Sequence, residues 1–385
     1  MAVKIYVQKC SDYSQAKVAV GKLLDKLSPK LPEKGVVLLK PNLLMPALPE
    51  RAITTHPAVV AGVCHWFRTH YPGAKLYIGD SSGCLGLAGT KLAFKTCGLV
   101  KLAEEYNAQL VPFESLPLIK NYNKHAKVWP KLSLPKLVVQ ADLIVNLPKL
   151  KTHSLTNYTG AVKNLYGCLP GGIKGEGHIV GANPHRFAEL IVDVFEAVKP
   201  RVNIMDAVIG MEGAGPSNGQ TKQTGYLLAG SDAVALDAVA LKMAKIPESF
   251  VLTQTAAKER GLYPEYSIVG KFKPVKYKLP VRWKSMILSV LPSSIASAIT
   301  SKMVQGFMKS PEIDYNKCTK CLTCVRICPA KAITTKAGLP VIHHDKCIKC
   351  LSCAEHCPEG AIHTKQNLAD NLKRLFRGES DEETK

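Results

Sequence analysis

CTKCLTCVRICP at residues 318–329 and CIKCLSCAEHCP at residues 347–358 share one form, C-x2-C-x2-C-x3-C-P, at an offset of 29 residues. In this spacing three close thiolates hold three corners of a cubane 4Fe-4S cluster, and the fourth cysteine of the run ligates the other cluster. Cys318, Cys321, Cys324 and Cys357 are therefore expected to hold one cluster, and Cys347, Cys350, Cys353 and Cys328 the other. Pro329 and Pro358 fix φ and stop a helix where the chain must leave one cluster for the next. The repeat continues as CPAKAI and CPEGAI, so the segment is an internal duplication. A disulfide scaffold is disfavoured because MAVKIYVQKC interleaves charges and lacks the apolar core of a signal peptide. Zinc ribbons need neither a third cysteine per run nor the Cys-Pro.

A chain of 385 residues suits one large domain and a small module. The expected division is an α/β domain over 1–270, a linker or packing segment over 271–310, a two-cluster module over 311–366 and a charged tail over 367–385. Thirteen cysteines less eight ligands leave Cys10, Cys64, Cys84, Cys97 and Cys168, an odd set of thiols that fits a reducing cytoplasm. Of the net charge of +21, +19 lies in residues 1–310, which hold 39 Lys and Arg against 20 Asp and Glu. Aromatic residues are only 6% and no nucleic-acid motif accompanies the charge, so nucleic acid is not the expected partner. An acidic electron-transfer protein of low potential, as donor or acceptor, or an anionic small molecule fits better.

Upstream, Val3, Ile5 and Val7 alternate with polar residues as in a half-buried strand, and SQAKVAVGKLLDKL follows with helical spacing. GVVLLKPNLL is a continuous apolar run of the kind found in buried parallel strands. Residues 57–70 read as helix, AKLYIGDSSG as a strand and its turn, 90–107 as helix and 109–113 as strand. The alternation predicts a mostly parallel sheet with helices on both faces, joined to a small α+β iron-sulfur module.

Ligands of such sheets bind beyond the carboxyl ends of the strands. That rule selects Lys40, Asn42 and His56 after the first apolar strand, Asp80 after the second, Lys149, Lys151 and His153 after ADLIVNLP, and Asp206 after VNIM. The densest stretch is Asn146–Gly172, where Lys163 and Asn164 join Lys149, Lys151 and His153 among small hydroxyl and glycine residues. Thr159-Gly160 ahead of AVKNLYG marks a helix start whose amides favour an anion. Lys163 and His153 are candidate catalytic residues, Lys163 as acid or base should burial lower its pKa. GGIKGEG matches neither a Walker nor a dinucleotide loop. Glu212 sits in MEGAGPSNG, a turn suited to a substrate loop. In SDAVALDAVALKMA, Asp232 is the N-cap and Asp237 faces elsewhere. Residues 285–301 carry no charge but include Pro292, too short and broken for a transmembrane helix.

VLLKPNL, THP, IGDSSG, ADLIVNLPKLKTH, TGAVKNLYG, MEGAGPSNG and SDAVALDAVA together resemble the family known as domain of unknown function 362, here fused to a bacterial-type two-cluster ferredoxin domain. The likeness spans nearly the whole chain and implies the α/β-plus-cluster organisation, but little chemistry. Thr152–Gly171 is also distantly similar to a loop of lactate-racemase-like proteins that carries a His, then Ser-Gly-Gly-Arg-Lys, then Pro-Gly. Thr159, Gly160, Ala161, Val162 and Lys163 stand at that place, so this likeness implies only a site around His153 and Lys163.

Three functions follow. The first is a ferredoxin-type oxidoreductase, in which the module passes single electrons to an anionic substrate held in the α/β domain. The second is a non-enzymatic electron carrier or maturation partner with a basic docking face. The third is an isomerase or ligase whose clusters are structural.

Overall fold

Strand β2 (Val36–Pro41) sends Leu38 into one apolar layer and Val37 and Leu39 into another, because successive side chains of a strand point to opposite faces. A strand covered on both faces reads as an unbroken apolar run, which is why VVLL carries no alternation. The computed structural model describes residues 2–280 and 310–365 apart from Cys84 and Ala182, and the chain divides into two compact units, Met1–Arg282 and Trp283–Lys385.

The first unit adds β1 (Val3–Lys9), β3 (Lys75–Asp80), β4 (Gln109–Pro112), β5 (Leu118–Tyr122), β6 (Lys131–Pro135), β7 (Leu143–Leu147), β8 (Lys149–His153), β9 (Asn157–Tyr158), β10 (Val202–Glu212), β11 (Gln220–Gly230) and β12 (Tyr266–Val269). The main sheet runs β12-β1-β11-β10-β7-β2-β3-β4. All its neighbours are parallel except β1 with β11 and β10 with β11. Past Pro148, β8 takes over from β7 beside β10 and pairs in turn with β9. One face is covered by Ala16–Leu27, Pro57–His70, Gly86–Thr96 and Leu99–Glu105, the other by Pro184–Val198, Ala233–Ala244 and Leu252–Glu259.

Several elements differ from the sequence reading. The helix expected over 90–107 is two, Gly86–Thr96 and Leu99–Glu105, because Gly98 between them takes φ 82°. GGIKGEG, read as a loop, lies in the helix Gly171–Val180, where Gly177 lets the Tyr166 ring approach so closely that a Cβ would meet its hydroxyl at 2.5 Å. The β5–β6 hairpin has no counterpart in the reading. Asp193 holds its connecting loop by accepting from the amides of Lys127, Val128 and Trp129 at 2.8–3.0 Å. Residues 271–280 form no regular element but bond back to the sheet unit, with Tyr277 buried and its hydroxyl 2.7 Å from Thr224.

In the second unit, Ser310–Ile313 pairs with Ile362–Lys365, and Ile333–Lys336 pairs with Leu339–Ile342, both antiparallel. Short helices Thr323–Ile327 and Ser352–Glu355 stand among the cysteines. The duplication extends to the backbone: Lys320 and Leu322 are left-handed at φ 58° and 55°, and their equivalents Lys349 and Leu351 at 55° and 60°. The uncharged stretch 285–301 and the tail 367–385 lie outside the described residues. Among the described residues no helix is long and apolar enough to cross a membrane.

Two glycines test the packing with opposite signs. A Cβ on Gly79 of β3 would lie 2.4 Å from a Phe113 ring carbon and 3.0 Å from Leu38 Cδ1, whereas one on Gly21, inside the helix Ala16–Leu27, meets nothing within 4 Å. Gly79→Ala is expected to cost about 1–3 kcal/mol by overpacking. Gly21→Ala is expected to gain about 0.5–1 kcal/mol from helix propensity. Urea unfolding of each variant checks both.

Candidate functional site

Four of the module's cysteines border one space. Cys318, Cys321, Cys324 and Cys357 line one hollow together with Leu322 and Ile362, about 360 Å³ including the part open to solvent. Three of these thiols come from the first run and the fourth from the second. Among the described residues, no three His, Cys, Asp or Glu close on a point as they would around a single metal ion. Cys328, Cys347 and Cys350 lie near Cys353. Burial, then Glu355, Cys347 and Cys328, pushes the Cys350 thiol up to about 12, and burial, then Cys350, Cys347 and Cys328, holds Cys353 well above the ordinary range. Crowded, buried thiols ionise only against strong positive charge, and the iron of a cluster supplies it. The amides of Ala332 and Ala361 donate to the sulfurs of Cys328 and Cys357, each at 3.2 Å, the kind of N–H···S bond that tunes a cluster. Cys10, Cys64, Cys97 and Cys168 are free thiols buried in the first unit.

At the carboxyl edge of the large sheet, the residues selected by position meet one another. Lys40 Nζ lies 2.7 Å from Asp80 Oδ2, with both side chains buried. Burial lifts the Asp80 carboxyl to about 6 against the pull of Lys40 and Lys174. Lys149 Nζ lies 2.8 Å from Asp206 Oδ2 and donates to the Tyr13 hydroxyl at 2.8 Å, which itself donates to Asp206 Oδ1 at 3.0 Å. His56 stacks on the Tyr13 ring at 3.5 Å, caps the helix Pro57–His70, and gives its amide to Asp206. Burial lowers its imidazole to about 4. Side-chain amides link β7 and β10 to the helical turn Ala161–Asn164 and the segment after β2: Asn42 donates to Asn164 at 2.9 Å, Asn164 to Asn146 at 2.8 Å, and Asn146 to Asn203 at 2.9 Å. Glu212 accepts from the Lys278 amide at 2.9 Å and sits 3.6 Å from Lys222.

A separate group gathers around His153. Strand spacing puts Lys149, Lys151 and His153 on one face of β8 and Leu150, which joins the apolar core, on the other. The His153 Nδ1 accepts from the amides of Leu155 at 3.1 Å and Thr156 at 3.3 Å, so the neutral ring carries its proton on Nε2. Burial, then Lys163, Lys151 and His178, hold its pKa well below the usual imidazole value. Lys163 and His178 flank one ring: the ammonium lies 5.9 Å from the Phe187 centroid, and the His178 ring stacks on Phe187 at 4.7 Å.

The helix start at Gly160 is occupied from within. Asp237 accepts from the amides of Ala161 and Val162 at 2.6 and 3.0 Å and from the Tyr158 hydroxyl at 3.0 Å. The amides expected to serve an external anion are thus satisfied by a carboxylate of this chain. Gly160, at φ 93°, is needed because a Cβ there would fall 2.3 Å from that carboxylate. Asp237, Tyr158 and His178 were missed as contributors to this region. The sign of Asp237 in the sequence was a carboxylate set within VALDAVAL, a helix segment buried all round.

Residues 37–242 match the family described as Domain of unknown function (DUF362), and residues 310–358 match a 4Fe-4S dicluster domain. The chain is 34% identical over 229 residues to the thylakoid-associated protein sll1697 of Synechocystis sp. (strain PCC 6803), a match covering 59% of this chain and 68% of that protein. It is also similar to the lactate racemase apoprotein from Thermoanaerobacterium thermosaccharolyticum, with a TM-score of 0.43 and 15% identity over 64% of this chain. In that case the chain spans 57% of the other's length.

The neutral His153 has a consequence for pH. Its folded pKa lies below its unfolded one, so the unfolded chain binds a proton that the buried ring refuses. Its contribution to stability is complete above about pH 6.5 and drains as the pH falls below that value, by at most about 1.4 kcal/mol per pH unit. Urea midpoints measured across this range should show a shallower acid slope for His153→Gln than for the unsubstituted protein.

Proposed function

Because the chain belongs to the DUF362 family and joins that domain to a 4Fe-4S dicluster domain, we propose that it carries two 4Fe-4S clusters and relays single electrons through them to an anionic substrate in the α/β unit. Cys318, Cys321, Cys324 and Cys357 hold one cluster, and Cys328, Cys347, Cys350 and Cys353 the other. The observation that carries this reading is a hollow lined by three thiols of the first run and one of the second. The clusters supply one-electron transfer with little rearrangement.

The chain's own residues provide the rest. Ala332 and Ala361 give amide hydrogen bonds to ligand sulfurs, which favour the more negative state of whatever those sulfurs bind. The substrate lies at the carboxyl edge near Lys151, His153 and Lys163. A substrate gaining electrons also takes up protons. His153 is neutral with its proton on Nε2, so it serves as a hydrogen-bond donor, and Lys163 delivers the proton. Lys40, Asn42, His56, Asp80, Lys149, Asn164, Asp206 and Glu212 fix the shape of the edge through the bonds they make to one another and to the backbone. The net +19 of residues 1–310 favours an acidic protein as the electron partner. A reducing compartment, the cytoplasm, suits the free thiols.

Anaerobically prepared protein is expected to contain about eight iron and eight sulfide per chain. Replacing Cys318, Cys321 and Cys324 by Ala should leave one cluster, visible by EPR after dithionite reduction. In that background Cys328→Ala should remove the remaining signal and Cys357→Ala should not. The opposite pattern would sink the crossed assignment.

A further inference from the structure

We propose that Arg326 and Glu355 set the order in which the two clusters fill, so that the first electron settles on the cluster of Cys318, Cys321, Cys324 and Cys357 and the second on that of Cys328, Cys347, Cys350 and Cys353. This rests on the two-cluster reading above and adds the residues that rank the clusters. The duplication acts as an internal control. Its offset of 29 residues pairs Lys317 with Lys346 and Lys320 with Lys349, charges of one sign, but pairs Arg326 with Glu355. These two residues occupy one backbone position. The Arg326 amide donates to the Leu322 carbonyl at 3.2 Å and the Glu355 amide to the Leu351 carbonyl at 3.0 Å, with Leu322 and Leu351 both left-handed at φ 55° and 60°. Two matched holders therefore differ at this place by a reversed charge.

Arg326 is tied to the first run. Its guanidinium donates to the Cys321 carbonyl at 3.0 Å and to the Thr323 hydroxyl at 3.4 Å, and that hydroxyl oxygen lies 3.4 Å from the Cys321 sulfur. Glu355 ends the helix Ser352–Glu355 beside the second run, is 6% exposed, and acts by its charge on the Cys350 thiol. Burial of the thiols does not carry this difference, since Cys324 and its equivalent Cys353 are 8% and 7% exposed. A low-potential one-electron donor supplies each electron, and no bond is made or broken. Each electron makes a cluster one unit more negative, so a nearby cation eases its entry and a nearby carboxylate opposes it. Two charges work against the proposed order: Glu359, which lines the first hollow, and Lys331, whose amide donates to the Cys328 carbonyl at 3.1 Å. Both side chains are exposed, where water and salt screen them. Arg326 is held against the Cys321 loop by its two bonds, and the charge of Glu355 is enclosed by protein and screened less.

The test is a potentiometric titration of the anaerobic full-length protein with dithionite and mediator dyes, followed by EPR, with iron content measured on each sample. Two successive one-electron steps are expected. Glu355→Gln should raise the lower step by about tenfold or more in the ratio of reduced to oxidised cluster at a fixed potential, about 59 mV per tenfold for one electron. Arg326→Gln should lower the upper step by about threefold, a smaller change because solvent reaches that side chain. Arg326→Lys, which keeps the charge, should stay close to the parent. Arg326→Glu, which puts an acid at both equivalent positions, should bring the two steps closer together. Coincident steps in the parent overturn the proposal, as does a Glu355→Gln variant that shifts the upper step alone or neither step. Should Glu355→Gln fail to load both clusters, Arg326→Glu decides, and steps left as far apart as in the parent overturn the proposal. With about eight iron per chain, unmoved steps overturn the order alone. Fewer iron in the parent overturns the two-cluster reading and the order with it.

Discussion

A lysine ammonium enclosed by protein is tolerable when an opposite charge lies against it. Lys40 and Lys149 are both fully buried, and the structure around the sheet edge follows from answering them. Asp80 answers the first from the end of β3, and Asp206 answers the second from the middle of β10. Each pair bridges adjacent strands, β2 with β3 and β8 with β10, so it links neighbouring strands at the edge as well as neutralising charge. Taking away one carboxylate would strand a buried charge at about 3–5 kcal/mol, a large part of a typical domain's stability. The pairs therefore read as fixtures of the edge. Tyr13 and His56 close around the second pair, which brings the helix Pro57–His70 onto the same point.

The same constraint governs the uncharged polar groups. Asn146 and Asn203 sit inside strands with no exposure, where an unbonded amide is costly, and they satisfy each other and Asn164 in a row that crosses the sheet. Asp237 belongs to this class. A carboxylate within an apolar helix is held because two amides at a helix start and a tyrosine hydroxyl all point at it, and burial still lifts its pKa to about 7.

Much of the α/β unit was legible, because GVVLLK, AKLYIG and ADLIVNL are apolar runs long enough for a strand and punctuated by turn residues. The glycine-rich helix at 171–180 was not. Local propensity disfavours it, and only the close packing of Gly177 on Tyr166 shows why glycine stands there. At the edge, the residue types were visible, but their partners were not. Lys40 and Asp80 are 40 residues apart and Lys149 and Asp206 are 57 apart, and no local pattern encodes such pairings. A list of polar residues after strands therefore mixes those that spend their charge on each other with those that gather about His153. Position in the sheet selects both kinds equally, and only contact geometry separates them.

The module shows the reverse case, in which a repeat visible in the sequence extends to the backbone. Its spacing repeats, and with it the left-handed residues at Lys320, Leu322, Lys349 and Leu351 and the two N–H···S bonds. What the repeat conceals is solvation. Cys324 and its equivalent Cys353 are both buried, whereas Cys321 is exposed and its equivalent Cys350 is partly covered, with burial the leading cause of the raised Cys350 thiol pKa. Equal ligand geometry thus stands in unequal surroundings. Duplication made two matching holders, and the packing around them, set by residues outside the cysteine pattern, is what makes them unlike.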